Sequence, residues 1–594
     1  MVRVYFLETD SSEADECVGV FRYYGVSCVS ENISNKNVVH TICDGRPELI
    51  VLFESVLHYI NESALLAAIE SIPGYCPSIL LYNCSKGLFE AAGWNSFART
   101  NVSRSFNDNT VESIRFSDEF MLGGSLSGVE IPVSEFLFAE FYCFQLPANS
   151  EWKGVVFAGK QGVDCPVFIG KQSDKWSLYA SVKWSFRSCN LPVGILLQYK
   201  KLILKKIVLL MLVKKVFKDT VWHYPVVHAN LTIDDPRLSR TYGFVDYKKL
   251  LMEMRKVGFH TTIAFIPWNY RRNNKDTVAL FRQNPDCYSI CYHGNNHDRR
   301  EFYRYSYNVN NEFPDKSLSV HERNIMQSMV RMRQMAEGTG LEIDRVMVFP
   351  QGIAPSNTLE LLKKYGFLAT VNVNNIPLDE PWPEELHFYL DVTTLDYGNF
   401  PSIRRFSPEV FFDPEKSWVL EFLIFIGNPI ITHTHHQFFA SGIDRFGSIA
   451  QKFNKFNVVW GSLKTISEKL YKIRRVNVAS FEVVALCNSI VLRNDFSEDS
   501  VFVVRKKHDS SIIGLSINNE KVGFVVNNGW IECRLSLKCT ESATIEFLSQ
   551  TIEVKNEGGG RLNWRVFFIR ILCDIRDMRF VSKILSSIKT TNKL

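Results

Sequence analysis

Short apolar runs separated by helix-like stretches open the chain: Val2 to Leu7, Gly25 to Val29, Leu49 to Phe53 and Ser78 to Tyr82. That rhythm predicts an α/β layer. From Ser113 onward the runs shorten and alternate, with Gly and Pro between them, as in Gly154-Val-Val-Phe-Ala-Gly159 and Cys165-Pro-Val-Phe-Ile-Gly170, which reads as β-rich. Between about Trp222 and Arg474 the pattern changes again. Strand-like runs at Leu231–Ile233, Thr261–Ile266, Tyr288–Tyr292, Val346–Phe349, Leu368–Val371, Pro429–Thr432 and Val458–Trp460 alternate with amphipathic segments such as Val245–Val257 and His321–Glu337. Repeated βα units of this kind predict a parallel sheet, open or closed into a barrel. The last 120 residues or so return to short strands, including Ser500–Arg505, Gly523–Val526 and Thr544–Phe547, and predict a β-sandwich. The expected organisation is an N-terminal α/β and β-rich domain over residues 1–190, a basic linker or helix over 191–221, an α/β domain over 222–474 and a β-rich domain over 475–594.

At 594 residues a single core is excluded, and 46% hydrophobic with 13% aromatic residues excludes long disorder. A formal charge of +5 is too dilute for a nucleic-acid partner. The 14 cysteines contain no CxxC pair and read as free thiols. A membrane span needs about 20 apolar residues, and the best run, Ile207–Val213, is bracketed by lysines. The wider stretch Leu202–Phe217 is either a packed helix or a basic helix lying on an anionic membrane surface. The N-terminal apolar stretch is too short for a secretory signal, so the expected location is cytoplasmic.

Chemistry concentrates in the middle of the chain, where ten of the 13 histidines lie between His223 and His436. Thr232-Ile-Asp234-Asp235-Pro236 puts two carboxylates at the C-terminal end of an apolar strand, the edge where α/β barrels build active sites. Adjacent residues leaving a strand point apart, so one carboxylate can hold a metal while the other faces the attacking water. A turn or helix cap reads equally well from this segment alone. After the next-but-one strand, His293-Gly-Asn-Asn-His297 carries two imidazoles that can share one metal. Asp235, His293 and His297 would then form a two-His, one-carboxylate set with a position left for water. No Glu follows His293, which excludes the helical metalloprotease motif. A third strand ends in His433-Thr-His435-His436, whose alternation puts His433 and His435 on one face and His436 on the other. His435, then His436, is the first choice for a general acid.

These ordered segments resemble the NodB-homology polysaccharide deacetylases of the carbohydrate esterase family 4 type, over about residues 222 to 474. Thr232–Asp235 matches the family's T-F-D-D motif, His293–His297 its H-x-x-x-H, Phe349-Pro350-Gln351-Gly352 its third turn, and the His433–His436 cluster its late strand. The resemblance implies a distorted (β/α) barrel and a metal-dependent hydrolase that removes acyl groups from a carbohydrate or glycoconjugate. It assigns Asp234 as base, Asp235, His293 and His297 as ligands of a divalent metal, and a late His as acid. Zinc suits that donor set first, with cobalt and nickel as alternatives. Trp268 and Tyr270 are candidates for a sugar-stacking wall with Trp382, and Pro350 and Gly352 for the substrate turn.

The sequence departs from the family at Val348, where an arginine normally orients the base, and at Pro236, which replaces a glycine. Arg404 and Arg405 are the only paired arginines between the third and last motifs. Alternation on a short strand would send one inward to Asp234 and the other to solvent. Two other readings stand beside the deacetylase: a catalytically inactive glycan-binding or assembly scaffold, and a glycosidase on a related barrel, which would need two carboxylates flanking the bond.

Overall fold

The computed structural model describes residues 3–8, 11–32, 38–85, 94, 101–104, 110–188, 194–297, 301–302, 317–352, 354–381, 383, 387–391, 397–554 and 564–577. Two compact units emerge, one of Met1–His223 with Asp413–Ile426, the other of Tyr224–Phe412 with Gly427–Leu594.

In the first unit the α/β and β-rich segments share one nine-stranded sheet. Its parallel part runs through Cys28–Asn32, Val4–Glu8, Leu49–Phe53, Ser78–Cys84 and Ser177–Val182. Antiparallel strands then extend the same sheet through Val163–Gln172, Lys153–Lys160, Ser113–Phe116 and Glu130–Pro132. Leu49–Phe53 is buried at every position, as expected of a strand covered on both faces. Helix α1, Ile195–Phe217, belongs to this unit. Its run Ile207–Val213 is buried throughout, Leu204 O accepts from Trp184 Nε1 at 2.7 Å, and Tyr199 packs against Phe422. This stretch is therefore a packed helix.

The second unit carries a parallel barrel of seven strands: β1 (His228–Asp234), β2 (Thr261–Phe265), β3 (Tyr288–His293), β4 (Asp344–Val348), β5 (Ala369–Asn372), β6 (Ser402–Arg404) and β7 (Ile430–Thr434). Hydrogen-bonded order runs β6-β5-β4-β3-β2-β1-β7. The two ends meet just past β6, where Phe406 N donates to Ile431 O at 2.8 Å and Phe406 O accepts from His433 N at 3.0 Å. The short strand Val459–Trp460 also pairs with β1. Every residue of β1 and β2 is buried, the signature of strands with side chains inside the barrel and helices outside.

Helix α2, Tyr247–Val257, shows how the sequence sets such a boundary. Asp246 Oδ1 accepts from Lys249 N at 3.1 Å at its start, and Gly258 in the left-handed region ends it. Around the barrel follow α3 (Lys275–Gln283), α4 (Leu318–Thr339), α5 (Ser356–Lys364) and α6 (Asp444–Asn454). Residues 471–549 then form a five-stranded and a four-stranded sheet around one apolar core that includes Phe481, Phe502 and Ile531 from the first and Ile490, Ile545 and Phe547 from the second. That is a β-sandwich. The last helix among the described residues, α7, spans Trp564–Arg576. Among the described residues, no helix is long and apolar enough to cross a membrane.

Candidate metal centre and active site

Parallel pairing of β1, β2 and β3 brings Asp234, Asp235 and His293 to one end of the barrel. Asp235 leaves β1 with φ of 79°, a left-handed conformation that Asp tolerates better than most non-glycine residues. It aims Oδ1 to within 3.3 Å of His293 Nε2 and 3.1 Å of His297 Nε2. One ligand atom from each residue lies within 4.8 Å of the others. Oδ1 is buried and has no hydrogen-bond partner among the described residues. An orphaned carboxylate oxygen facing two imidazole nitrogens is a donor set that fits a divalent ion.

The imidazoles are oriented from behind. His293 Nδ1 lies 2.9 Å from Val348 O, which assigns the proton to Nδ1 and leaves the Nε2 lone pair for the centre. The loop bearing His297 is held by Glu301, whose carboxylate accepts from the backbone N–H groups of Asn295, Asn296 and His297 at 3.0, 2.8 and 3.0 Å. Arg331 Nη1 donates to the side-chain oxygens of Asn295 and Asn296 at 2.6 and 2.8 Å. Gly294, at φ of 61°, is required here, because a Cβ would sit 2.5 Å from Glu301 Oε2 and 2.6 Å from Pro350 Cγ.

Asp234 faces a different partner. Arg405 Nη1 and Nη2 donate to its Oδ1 and Oδ2 at 2.7 and 2.8 Å, a two-pronged pair with both side chains almost fully buried. Burial opposes ionisation of Asp234, but the Arg405 guanidinium, helped by His293, outweighs it and holds the carboxyl well below its usual range. Arg404 takes no part. It is also buried rather than turned to solvent, and it donates to Val373 O, Asn374 Oδ1 and Asn375 Oδ1. β6 lies in a barrel covered on both faces, so neither arginine finds water.

The three late histidines separate. Burial, with the nearby Arg405 charge, pushes His433 down to about 3, so it is neutral beside the Asp234 pair. His435 is half exposed, with Nε2 3.9 Å from Asp235 Oδ2. His436 points elsewhere. It stacks on Phe244, meets Tyr242 edge-on, and places Nε2 3.4 Å from Asp577 Oδ1. Its Nε2 is thus turned to Asp577 rather than to Asp234 or Asp235. Asp577 also accepts from Tyr242 Oη at 2.8 Å, a contact between the residue after helix α7 and the barrel that no local pattern signals.

Among the candidate ligands, burial outweighs the pull of Asp235 and pushes His297 down to about 4, leaving a neutral imidazole. Burial also works against a charge on His293, but the Asp235 and Asp234 carboxylates prevail and raise it. Asp235 is held well below its usual range by His297 and His293 despite burial.

The substrate candidates fare unevenly. The backbone N–H of Trp268 donates to Asn295 O at 2.9 Å, while its ring lies 6.3 Å from Phe567 with the Arg272 guanidinium over it. Tyr270 instead lines a groove of about 880 Å³ with Arg271, Gln334 and Glu337, whose lining includes none of the three candidate ligands. Pro350 and Gly352 are buried, Pro350 against Gly294 and Gly352 against Val373, so they shape the turn and offer no surface to a sugar. Trp382 lies outside the described residues. Glu301, Arg331 and Asp577 were not legible in the sequence, because a carboxylate that grips backbone N–H groups or a distant histidine leaves no spacing signature.

No family model and no curated protein matches this chain. Among solved structures, it is similar to a putative polysaccharide deacetylase from Mycobacterium smegmatis, at 13% identity and a TM-score of 0.27 over 41% of this chain and 90% of that one. It is also similar to the Xyl-CE4 domain of a multidomain xylanase from the hindgut metagenome of Trinervitermes trinervoides, at 16% identity and a TM-score of 0.24 over 41% of this chain and 91% of that one. These are likenesses of outline across two fifths of the chain, and the chemistry has to come from the residues of the site.

Proposed function

We propose that the barrel is a metal-dependent hydrolase that removes acyl groups, acetyl first, from a carbohydrate or glycoconjugate. The observation that carries this reading is the side-by-side arrangement of the Asp235, His293 and His297 donor set with the buried Asp234 and Arg405 pair. A divalent ion held by the three donors would supply Lewis acidity to the substrate carbonyl and to the attacking water. Asp234 accepts the water's proton, and Arg405 keeps its carboxylate ionised and fixed in direction. His435 is the residue for protonating the leaving nitrogen or oxygen, since it is open to solvent on the same side, whereas His433 is held neutral and His436 is engaged by Asp577.

The test is metal analysis of purified protein together with acetate release from a panel of acetylated sugars, lipid-linked and nucleotide-linked ones included. About one equivalent of divalent metal per chain is expected in the wild type and none in His293→Ala. Asp234→Asn should keep the metal and lose activity by roughly 10²–10⁴-fold. Equal metal in both proteins, or no acetate from any substrate, would overturn the reading.

A further inference from the structure

Helix α7 has two unlike faces. Its inner face meets the candidate site: Arg570 Nη2 donates to His297 O at 3.1 Å, Phe567 packs near Trp268, and Asp577, just past the helix, engages Tyr242 and His436. Its outer face is a stripe of Trp564, Phe568, Leu572 and Ile575, spaced four, four and three residues apart and therefore aligned along one side. These four side chains are 63%, 60%, 65% and 44% exposed, a concentration of large apolar groups that an ordinary solvated helix does not show.

Charge identifies what covers the stripe. From Trp564 to Leu594 the sequence holds seven basic residues (Arg565, Arg570, Arg576, Arg579, Lys583, Lys589, Lys593) and two acidic ones (Asp574, Asp577). The resulting net of +5 equals the formal charge of the whole chain, so the preceding 563 residues are neutral in sum. Beyond the helix the sequence adds Phe580, Val581, Ile584, Leu585 and Ile588 at the same three-to-four spacing between those lysines. An exposed apolar stripe with a tryptophan near one end, set in a strongly basic segment, matches the interface of an anionic bilayer. The helix, at 13 residues, is too short to span one.

We propose that α7 docks the protein on an anionic phospholipid surface, with Trp564, Phe568, Leu572 and Ile575 entering the interfacial layer and the Arg570 face remaining on the barrel. Docking in this way would hold the mouth of the candidate site at the membrane, and it stands whether or not that site hydrolyses acyl groups.

The experiment is co-sedimentation of the full chain with vesicles of equal parts phosphatidylcholine and phosphatidylglycerol, and with phosphatidylcholine alone. The full chain should pellet with the mixed vesicles, release as salt is raised, and bind phosphatidylcholine alone far more weakly. The double variant Phe568→Asp, Leu572→Asp should weaken binding by ~10-fold or more while keeping the wild-type circular dichroism spectrum. Met252→Asp, at an exposed apolar position on α2, should bind like the wild type. Failure of the wild type to pellet, or equal pelleting of the double variant, would overturn the proposal. So would a dimer in sedimentation velocity that the double variant dissolves without any vesicle binding, since the stripe would then be covered by a second copy of the chain.

Discussion

Val348 O stands 2.9 Å from His293 Nδ1, so the residue found where an orienting arginine was expected serves the candidate centre through its backbone. The orienting cation comes instead from Arg405, one residue beyond β6. A barrel allows this exchange because β4 and the end of β6 both point into the same mouth. The guanidinium then reaches Asp234 from another strand with its two-pronged geometry intact.

Arg405→Lys tests that geometry. Lysine keeps the charge but cannot bridge both carboxylate oxygens, so the fold and the metal should be retained while kcat on the acylated substrate falls by about tenfold or more. Arg405→Ala strands a buried carboxylate and should cost about 3–5 kcal/mol of stability. Denaturant titration beside the kinetic assay separates the two effects. Unchanged kcat in the lysine variant would show that the pair is structural only.

Glu301 is a positioning residue for His297, through three backbone N–H groups. Glu301→Gln replaces one carboxylate oxygen with an amide donor that faces those N–H groups, so the loop must rearrange. Metal affinity should drop about 10–100-fold, the scale expected for supports of a ligand. Competition with a chromophoric chelator measures it, and wild-type affinity would mean that Arg331 alone suffices to hold the loop.

Metal binding should also release protons. The two carboxylates raise His293, so in acidic solution a proton competes for the nitrogen that faces the centre. Affinity should weaken as pH falls through the histidine range, with about one proton released per metal near pH 6. Calorimetry in two buffers of different protonation enthalpy counts that proton. Zero release would indicate that His293 is already neutral, and would remove it as the titrating ligand.

Much of this arrangement was legible because the strand runs and the Asp234-Asp235, His293–His297 and His433–His436 segments are local patterns tied to strand ends. Alternation put His436 on the face opposite His433 and His435, but the residue it meets, Asp577, lies just past a helix that no spacing rule connects to it. Alternation also limited Arg404 and Arg405 to one inward residue, but could not say that the other would be buried too. That follows from the closure of the sheet at Phe406 and Thr432, a long-range event. The grip of Glu301 on the His297 loop is a contact of tertiary structure, where sequence periodicity carries no information.

Asp344, at the start of β4, is buried and accepts from Lys464 N at 3.2 Å in the first turn of the helix Leu463–Glu468. Burial raises its carboxyl to about 6, the bonds from Lys464 and Ser462 only partly opposing it. Its unfolded value is about 3.9. Between those values the folded chain binds more protons than the unfolded one, so this residue's contribution to stability falls as pH rises through that window and stays unfavourable above it. A difference of about two pKa units corresponds to roughly 3 kcal/mol at neutral pH. Asp344→Asn keeps an oxygen for Lys464 N and removes the charge, so at pH 7.5 the variant should be more stable than the wild type by up to ~3 kcal/mol. Near pH 4 the difference should shrink toward zero. Urea unfolding of the two proteins at both pH values checks the sign, and a variant that is less stable at pH 7.5 would show that the ionised carboxylate is fully compensated by the bonds it accepts.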